Sequence, residues 1–252
     1  MFAFPRERRG VAHLWHDAWV LFRQEFKSIW LFAFLSALVA NLGTYWSTFN
    51  HKPPVHPILN HVSFVPGSFF HSPLENGVVM SLLWVLVTIV VNLIFTSSIL
   101  LYLFRRGQGQ QMRLRDAVQQ VWEKYLRLLS VTLLAALTII VGFVLGILPG
   151  IILGILWLML PLVVLVENCK VKEAFGRSAN LVWGHWWFTA YVYGVMAFVV
   201  GSASGFLIFL PARWSLFIVI FLTVWSVFAI SFLSALLVNV YQELKVRKGR
   251  LE

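Results

Sequence analysis

Four histidines, His51, His56, His61 and His71, fall within one proline-rich segment, residues 47–77. Imidazole is a common zinc and copper ligand, so metal binding is the first chemistry to weigh. The intervals are five, five and ten residues, not the i, i+4 spacing of a helical ligand pair. No cysteine or acid cluster joins them; Glu75 stands alone, and prolines at 53, 54, 57, 66 and 73 argue against regular helix. The segment reads as a solvated cap or a surface for a partner, and no metal or cofactor is expected. Two other residues invite a catalytic reading. Cys169 is the single cysteine, which rules out an intrachain disulfide, and no base stands at local spacing to activate its thiol. Glu167 is the only carboxylate abutting a long apolar run, where pairing with Lys170 or Arg177 explains it without acid–base work. The chain has no G-x-S-x-G, Walker A, H-E-x-x-H or C-x-x-C pattern. The expectation is a protein with no catalytic residues, not an enzyme.

The elements that carry these residues are set by an unusual solvent. Of 252 residues, 60% are apolar and 12% charged, against about 25% charged in an average soluble domain. Six stretches lack Asp, Glu, Lys and Arg: 28–46, 78–104, 128–148, 150–166, 186–210 and 214–241. A spanning helix needs about 20 residues, and 150–166 lies at the short limit with roughly 26 Å of helix. The first run opens only after residue 27 and is long enough to span, so it is expected to remain as a helix rather than act as a cleavable signal. The prediction is an all-α, polytopic transmembrane bundle of six spans arranged as three hairpins. It forms one integral membrane domain, 1–252, with a basic N-terminal interfacial helix at 1–27, an outside loop at 47–77 and a basic tail at 242–252.

Charge sets the orientation. With alternating spans, only Lys52 and Arg213 of the 20 basic residues fall on one side, and the remaining 18 (20 − 2) fall on the other. The positive-inside rule places the basic side, with both termini, in the cytoplasm, and the membrane is expected to be the bacterial inner membrane. Arg127 and Lys170 bracket the glycine-rich stretch GFVLGILPGIILG and both belong inside. One straight helix between them would be roughly 60 Å long, twice the hydrocarbon thickness. The chain must therefore go out and return, either as a full hairpin or as a re-entrant one. The turn is expected at Leu148-Pro149-Gly150. Gly142, Gly146, Gly150 and Gly154 would let the two arms approach closely, and Pro161 would kink the second arm. A second small-residue row, Gly194, Gly201 and Gly205, reads as another helix contact.

Three segments share a pattern: an acid followed by alanine, then about ten residues leading into a span. They are 13–27 with Asp17-Ala18, 112–127 with Asp116-Ala117, and 171–187 with Glu173-Ala174. Each has helical apolar spacing, which predicts an amphipathic helix in the headgroup layer before each hairpin. In the second, Leu114, Val118, Val121, Trp122 and Tyr125 form the apolar face. The net charge of +10 then implies attraction to anionic lipid. Arg105, Arg106, Arg113, Arg115, Lys124, Lys170, Lys172 and Arg177 are the candidate headgroup contacts. These cations are divided among several loops and form no stripe that would track nucleic acid, so none is expected as a partner. Within the spans no ionisable residue lies centrally. Thr88, Asn92, Thr96, Thr132, Thr138, Thr223, Ser226 and Asn239 are expected to make interhelical hydrogen bonds.

The stretch LPGIILGILWLMLPLVVLVENCKVKEAFGRSANLVWGHWW, with its Leu-Pro-Gly, Pro161, Glu167, Glu173-Ala174, Arg177-Ser178, Gly184 and tryptophan pair, resembles a known pattern. It is similar to the membrane domain attached to some glycerophosphodiester phosphodiesterases and to the YciC-type bacterial inner-membrane proteins. LFRQEF at residues 21–26 resembles the lead-in of the same family. The resemblance implies a helical membrane module without the phosphodiesterase barrel. The functional expectation is a non-enzymatic scaffold or accessory protein of the envelope. It would bind anionic lipid, a membrane protein partner or a second copy of itself. The alternative is a small-molecule or lipid transporter or channel.

Overall fold

A computed structural model describes residues 4, 10–50, 77–206 and 215–249, and among these all regular structure is helical. The order is α1 (Val11–Asn50), α2 (Gly77–Gly107), α3 (Leu114–Glu123), α4 (Tyr125–Leu145), α5 (Ile147–Leu156), α6 (Leu160–Glu167), α7 (Val171–Val182), α8 (Trp186–Phe206) and α9 (Ser215–Arg247). Four stretches, not six, are long and apolar enough to cross a membrane among the described residues: Leu86–Gly107, Tyr125–Leu145, Ile147–Glu167 and Phe217–Arg247. The chain is thus an all-α protein of multi-pass membrane character.

The other two expected spans, 28–46 and 186–210, lie only partly within the described side chains. The expected 28–46 run is the C-terminal part of α1, a single helix of 40 residues whose first half carries Arg23, Glu25 and Lys27. Part of that run, like residues 207–210 of the expected 186–210 span, falls outside the described side chains. Within the described side chains α8 contributes the apolar stretch Trp186–Ser202, about 25 Å at 1.5 Å per residue. The continuity of α1 also corrects the expected repeat. Residues 13–27 do not form a separate interfacial helix, whereas α3 and α7 do stand apart from the helices that follow them. The shared acid–alanine pair keeps a structural meaning, because Ala18, Ala117 and Ala174 are all fully buried.

α1, α2 and α9 pack together, and α6 is inserted against α2. Lipid offers no hydrophobic penalty for separated helices, so close approach of small side chains and interhelical hydrogen bonds must hold them. Ala33, Ser36 and Ala37 are fully buried on α1, and Ser97 and Ser98 are buried on α2. Ser36 donates to Asn92 of α2, while Asn41 donates to Ser226 of α9 at 3.3 Å. Most other intramembrane hydroxyls bond back to the carbonyl four residues earlier, as Thr96, Thr132 and Thr223 do. An aromatic cluster joins α1 to α9: Phe22 meets Phe228 and Phe232 edge-on at 5.3 and 5.8 Å between centroids. Each such pair contributes about 0.5–1.5 kcal/mol beyond its buried area.

α4 and α5 form the expected there-and-back hairpin, but the turn lies at Gly146 and not at Leu148-Pro149-Gly150. Gly146 has φ 153° and ψ 157°, and α5 begins at the next residue. Pro149 occupies the first turn of α5, where its missing N–H has no intrahelical partner to lose. The arms do touch at glycine. A Cβ on Gly142 would lie 3.0 Å from the Gly150 Cα, and one on Gly150 would lie 2.6 Å from the Phe143 ring. Gly154, Gly194, Gly201 and Gly205, by contrast, have no atom of the described residues within 4 Å of where a Cβ would stand, so among those residues they make none of the expected close contacts. The outer face of the hairpin is apolar and exposed, from Leu126 through Leu137 and Val144 to Leu148. The return arm is not one kinked helix but two short ones. α5 stops at Leu156, and α6 restarts at Leu160 with Pro161 at its N-terminus. The Leu160 N–H turns to the Trp157 carbonyl, and the Leu156 carbonyl so freed accepts the Ser178 hydroxyl of α7 at 2.7 Å.

Candidate functional site

The charged side chains with interhelical partners converge on one end of the bundle. There α2 and α9 end, α4 begins, and α6 gives way to α7. Lys124, at the α3–α4 junction, donates to the Leu165 carbonyl at 2.9 Å. One turn later Arg127 Nη1 donates to Asn168 Oδ1 at 2.9 Å and to the Cys169 carbonyl at 3.4 Å. The last turn of a helix leaves carbonyls unpaired and carries partial negative charge, so two cations from a neighbouring helix are suitable caps. Asn168 adopts φ 49°, the left-handed geometry in which asparagine commonly ends a helix. These contacts put the segments around residues 108–127 and 168–185 at the same end, as the distribution of cations required.

Two carboxylates anchor this end, each in the same kind of setting. Glu167, the last residue of α6, accepts from the Tyr241 hydroxyl of α9 at 2.8 Å and from Arg177 of α7 at 3.0 Å. Lys245, one turn beyond Tyr241, lies 3.4 Å from the same carboxylate. Glu25 of α1 accepts from the Tyr102 hydroxyl of α2 at 2.6 Å, and Arg106, one turn beyond Tyr102, lies 3.4 Å from it. The two sets adjoin: Phe104 packs edge-on against Tyr241 at 5.8 Å. Each set joins the end of a long apolar helix, through a tyrosine and a cation four residues later, to a glutamate on another helix. A charge so tied is paired and hydrogen-bonded, which is the condition for keeping it in a half-buried place. The arrangement is a closure of the bundle end.

The structure divides the eight candidate headgroup cations. Arg106, Lys124 and Arg177 are occupied within the protein, by Glu25, a helix C-terminus and Glu167 respectively. Arg105 is half-buried and donates to Gln110 at 3.1 Å. Arg113, Arg115, Lys170 and Lys172 are exposed and make no ion pair among the described residues. They flank or lie in α3 and α7, the two short amphipathic helices. On α3 the expected apolar face holds in part: Val121 is buried and Leu114, Val118 and Tyr125 are half-buried, while Trp122 is exposed and stacks on Tyr125 at 5.9 Å.

Burial lowers the pKa of Lys124, aided by the nearby Arg105 and Arg127. Burial raises that of the Cys169 thiol, against an opposing pull from Arg177. Cys169 is 4% exposed with its sulfur 3.9 Å from the Val163 carbonyl, the setting of a packed structural thiol. The four loop histidines and Glu75 lie outside the described residues. Among the described residues no group of three or more His, Cys, Asp or Glu side chains could hold a metal ion.

Sequence reasoning singled out Glu167 and Arg177 but missed Tyr102, Tyr241, Glu25 and Lys245. The signal was present: Tyr102 with Arg106, and Tyr241 with Lys245, repeat a tyrosine and a cation one helical turn apart at the ends of two apolar runs. No family model, curated protein or solved structure matches this chain.

Proposed function

We propose that the protein is a non-enzymatic membrane scaffold or accessory protein that holds anionic lipid at the basic end of its helical bundle. The observation that carries this reading is the sorting of charge. Glu25, Glu167 and Glu243 each engage a cation within the protein, while Arg113, Arg115, Lys170 and Lys172 stay exposed beside α3 and α7. Each basic residue near an anionic surface contributes about 1 kcal/mol of attraction, so four of them give affinity without a deep pocket. The large exposed apolar face of the α4–α5 hairpin is suited to lipid or to a membrane protein partner. The bacterial inner membrane, with the basic end cytoplasmic, is the setting this reading takes from the positive-inside rule. Kinship with the YciC-type membrane modules belongs to the same proposal and rests on the pattern of residues 148–187 and the LFRQEF lead-in at 21–26.

The test is gentle extraction followed by native mass spectrometry of the bound lipid. Retention of phosphatidylglycerol or cardiolipin over phosphatidylcholine is expected. It should fall when Arg113, Arg115, Lys170 and Lys172 are all replaced by glutamine. Retention of neither anionic lipid nor a partner protein would overturn the proposal. Solute flux through liposomes containing this protein alone would favour a transporter or channel.

A further inference from the structure

The chain passes from α7 to α8 through Trp183-Gly184-His185, a turn in which Gly184 has φ +92°. Beside this turn lies a cleft of about 570 Å³, bounded by Ile152 of α5, by Trp183, His185, Trp186 and Trp187, and by Arg247 at the end of α9. Its parts have a consistent chemistry. The Arg247 guanidinium sits 4.1 Å from the centre of the Phe188 ring, and its Nε is held by Glu243 at 2.8 Å, so the cation is fixed in place. The next residue, Lys248, brings its Nζ to 4.0 Å from where a Cβ on Gly184 would stand. The Trp186 indole N–H is buried with no acceptor among the described residues. Indole is a donor only, and a buried donor left without a partner costs about 1–3 kcal/mol. The rim is the opposite in character: Trp187 is 81% exposed and Trp183 65%.

We propose that this cleft is a discrete site for the headgroup of an anionic phospholipid. The phosphodiester oxygens would accept from the Trp186 N–H and pair with Lys248 and Arg247. The exposed indoles would lie at the headgroup level, and the acyl chains would run along the bare apolar faces of α5 and α8. Charge complementarity picks an anion, because Lys248, whose ammonium lies beside Gly184 of the cleft, adds a cation to a lining in which Arg247 is already balanced by Glu243. The aromatic rim picks a lipid over a soluble anion, since tryptophan collects where one side of a protein meets headgroups. This site rests on the lipid-binding reading above, but it uses none of the eight cations singled out from sequence.

The test uses the full chain in nanodiscs of phosphatidylcholine with a small fraction of phosphatidylglycerol. Tryptophan quenching by brominated phosphatidylglycerol, taken as the difference between wild type and Trp186→Phe among the 12 tryptophans, reads the cleft, and native mass spectrometry counts the retained lipid. Wild type should show saturable quenching and one tightly retained phosphatidylglycerol. Lys248→Gln should weaken that event about fivefold, the loss of one surface-near cation. Trp186→Phe keeps the ring and removes the donor, and should weaken it several-fold. The quadruple glutamine variant at 113, 115, 170 and 172 should lower total anionic lipid yet leave this event in place. If Lys248→Gln and Trp186→Phe bind as wild type while the quadruple variant loses lipid, the cleft is refuted and the broader function stands. If no variant changes anything and no anionic lipid is retained, both fall. Displacement by millimolar inorganic phosphate would make the cleft a soluble-anion site and overturn the lipid assignment.

Discussion

Glu167 offers the sharpest test of how the basic end is held closed. Its carboxylate receives the Tyr241 hydroxyl at 2.8 Å, Arg177 at 3.0 Å and Lys245 at 3.4 Å. Glu167→Gln keeps an acceptor for Tyr241 but removes the charge. A hydrogen bond to a charged group contributes about 1.5–3 kcal/mol. The Arg177 pair adds little, because that side chain is 47% exposed and solvent screens it to about 0–1 kcal/mol. Lys245 is 21% exposed and loses its carboxylate partner more seriously. Together these give a loss of about 2 kcal/mol for Glu167→Gln and about 1–2 kcal/mol for Tyr241→Phe. Since the two side chains share one bond, the double variant should lose at least about 1 kcal/mol less than the sum. The assay is reversible unfolding in mixed micelles with increasing sodium dodecyl sulfate, followed by tryptophan fluorescence. A second cycle, Glu25→Gln with Tyr102→Phe, should show coupling of similar size. The crossed pair Glu25→Gln with Tyr241→Phe should be additive to within about 0.5 kcal/mol. Additivity within the Glu167–Tyr241 pair would refute the reasoning, for then the hydroxyl and the carboxylate do not act on each other.

Two further outcomes follow from the geometry. Gly142→Ala should destabilise by about 1–3 kcal/mol in the same unfolding assay, because the added methyl meets the Gly150 backbone at 3.0 Å, whereas Gly154→Ala, facing open space, should be neutral or slightly stabilising. Equal effects at the two positions would contradict the hairpin packing. Maleimide labelling of Cys169 should be at least about tenfold slower in the folded protein than after denaturation at pH 8, since burial both blocks the sulfur and raises its pKa. A raised folded pKa moves the onset of labelling to higher pH than in the unfolded chain, and labelling of the folded protein at the free-thiol rate would show the site to be open.

The apolar runs were legible because charge in hydrocarbon is costly, and some 20 consecutive residues without Asp, Glu, Lys or Arg are what that cost selects. The sorting of cations also predicted that Arg127 and Lys170 lie on the same side, and the Arg127–Asn168 contact puts their segments at one end of the bundle. Two local expectations failed for physical reasons. Pro149 looked like a helix stop, but a proline in the first turn of α5 gives up an N–H that had no partner, so the chain broke at Gly146. Gly194, Gly201 and Gly205 resembled a contact row, yet among the described residues nothing packs on them, since spacing shows only which residues share a face and not whether a helix faces them. The residues that seal the bundle end come from positions far apart in the chain, 77 apart for Tyr102 and Glu25 and 74 apart for Tyr241 and Glu167. Only the tyrosine–cation spacing within each helix was local enough to be read.

The turn at Gly146 has a bearing on how the protein enters a bilayer. One residue joins α4 to α5, and its neighbours Val144, Leu145, Ile147 and Leu148 are all apolar and outward-facing. No hydrophilic linker has to be dragged through oil for this pair to cross. Both arms can slide in together from the side where Lys124, Arg127 and Asn168 are tethered, point first. A single polar substitution at the tip, Ile147→Asp for example, would place a charge at the point that has to pass through hydrocarbon first.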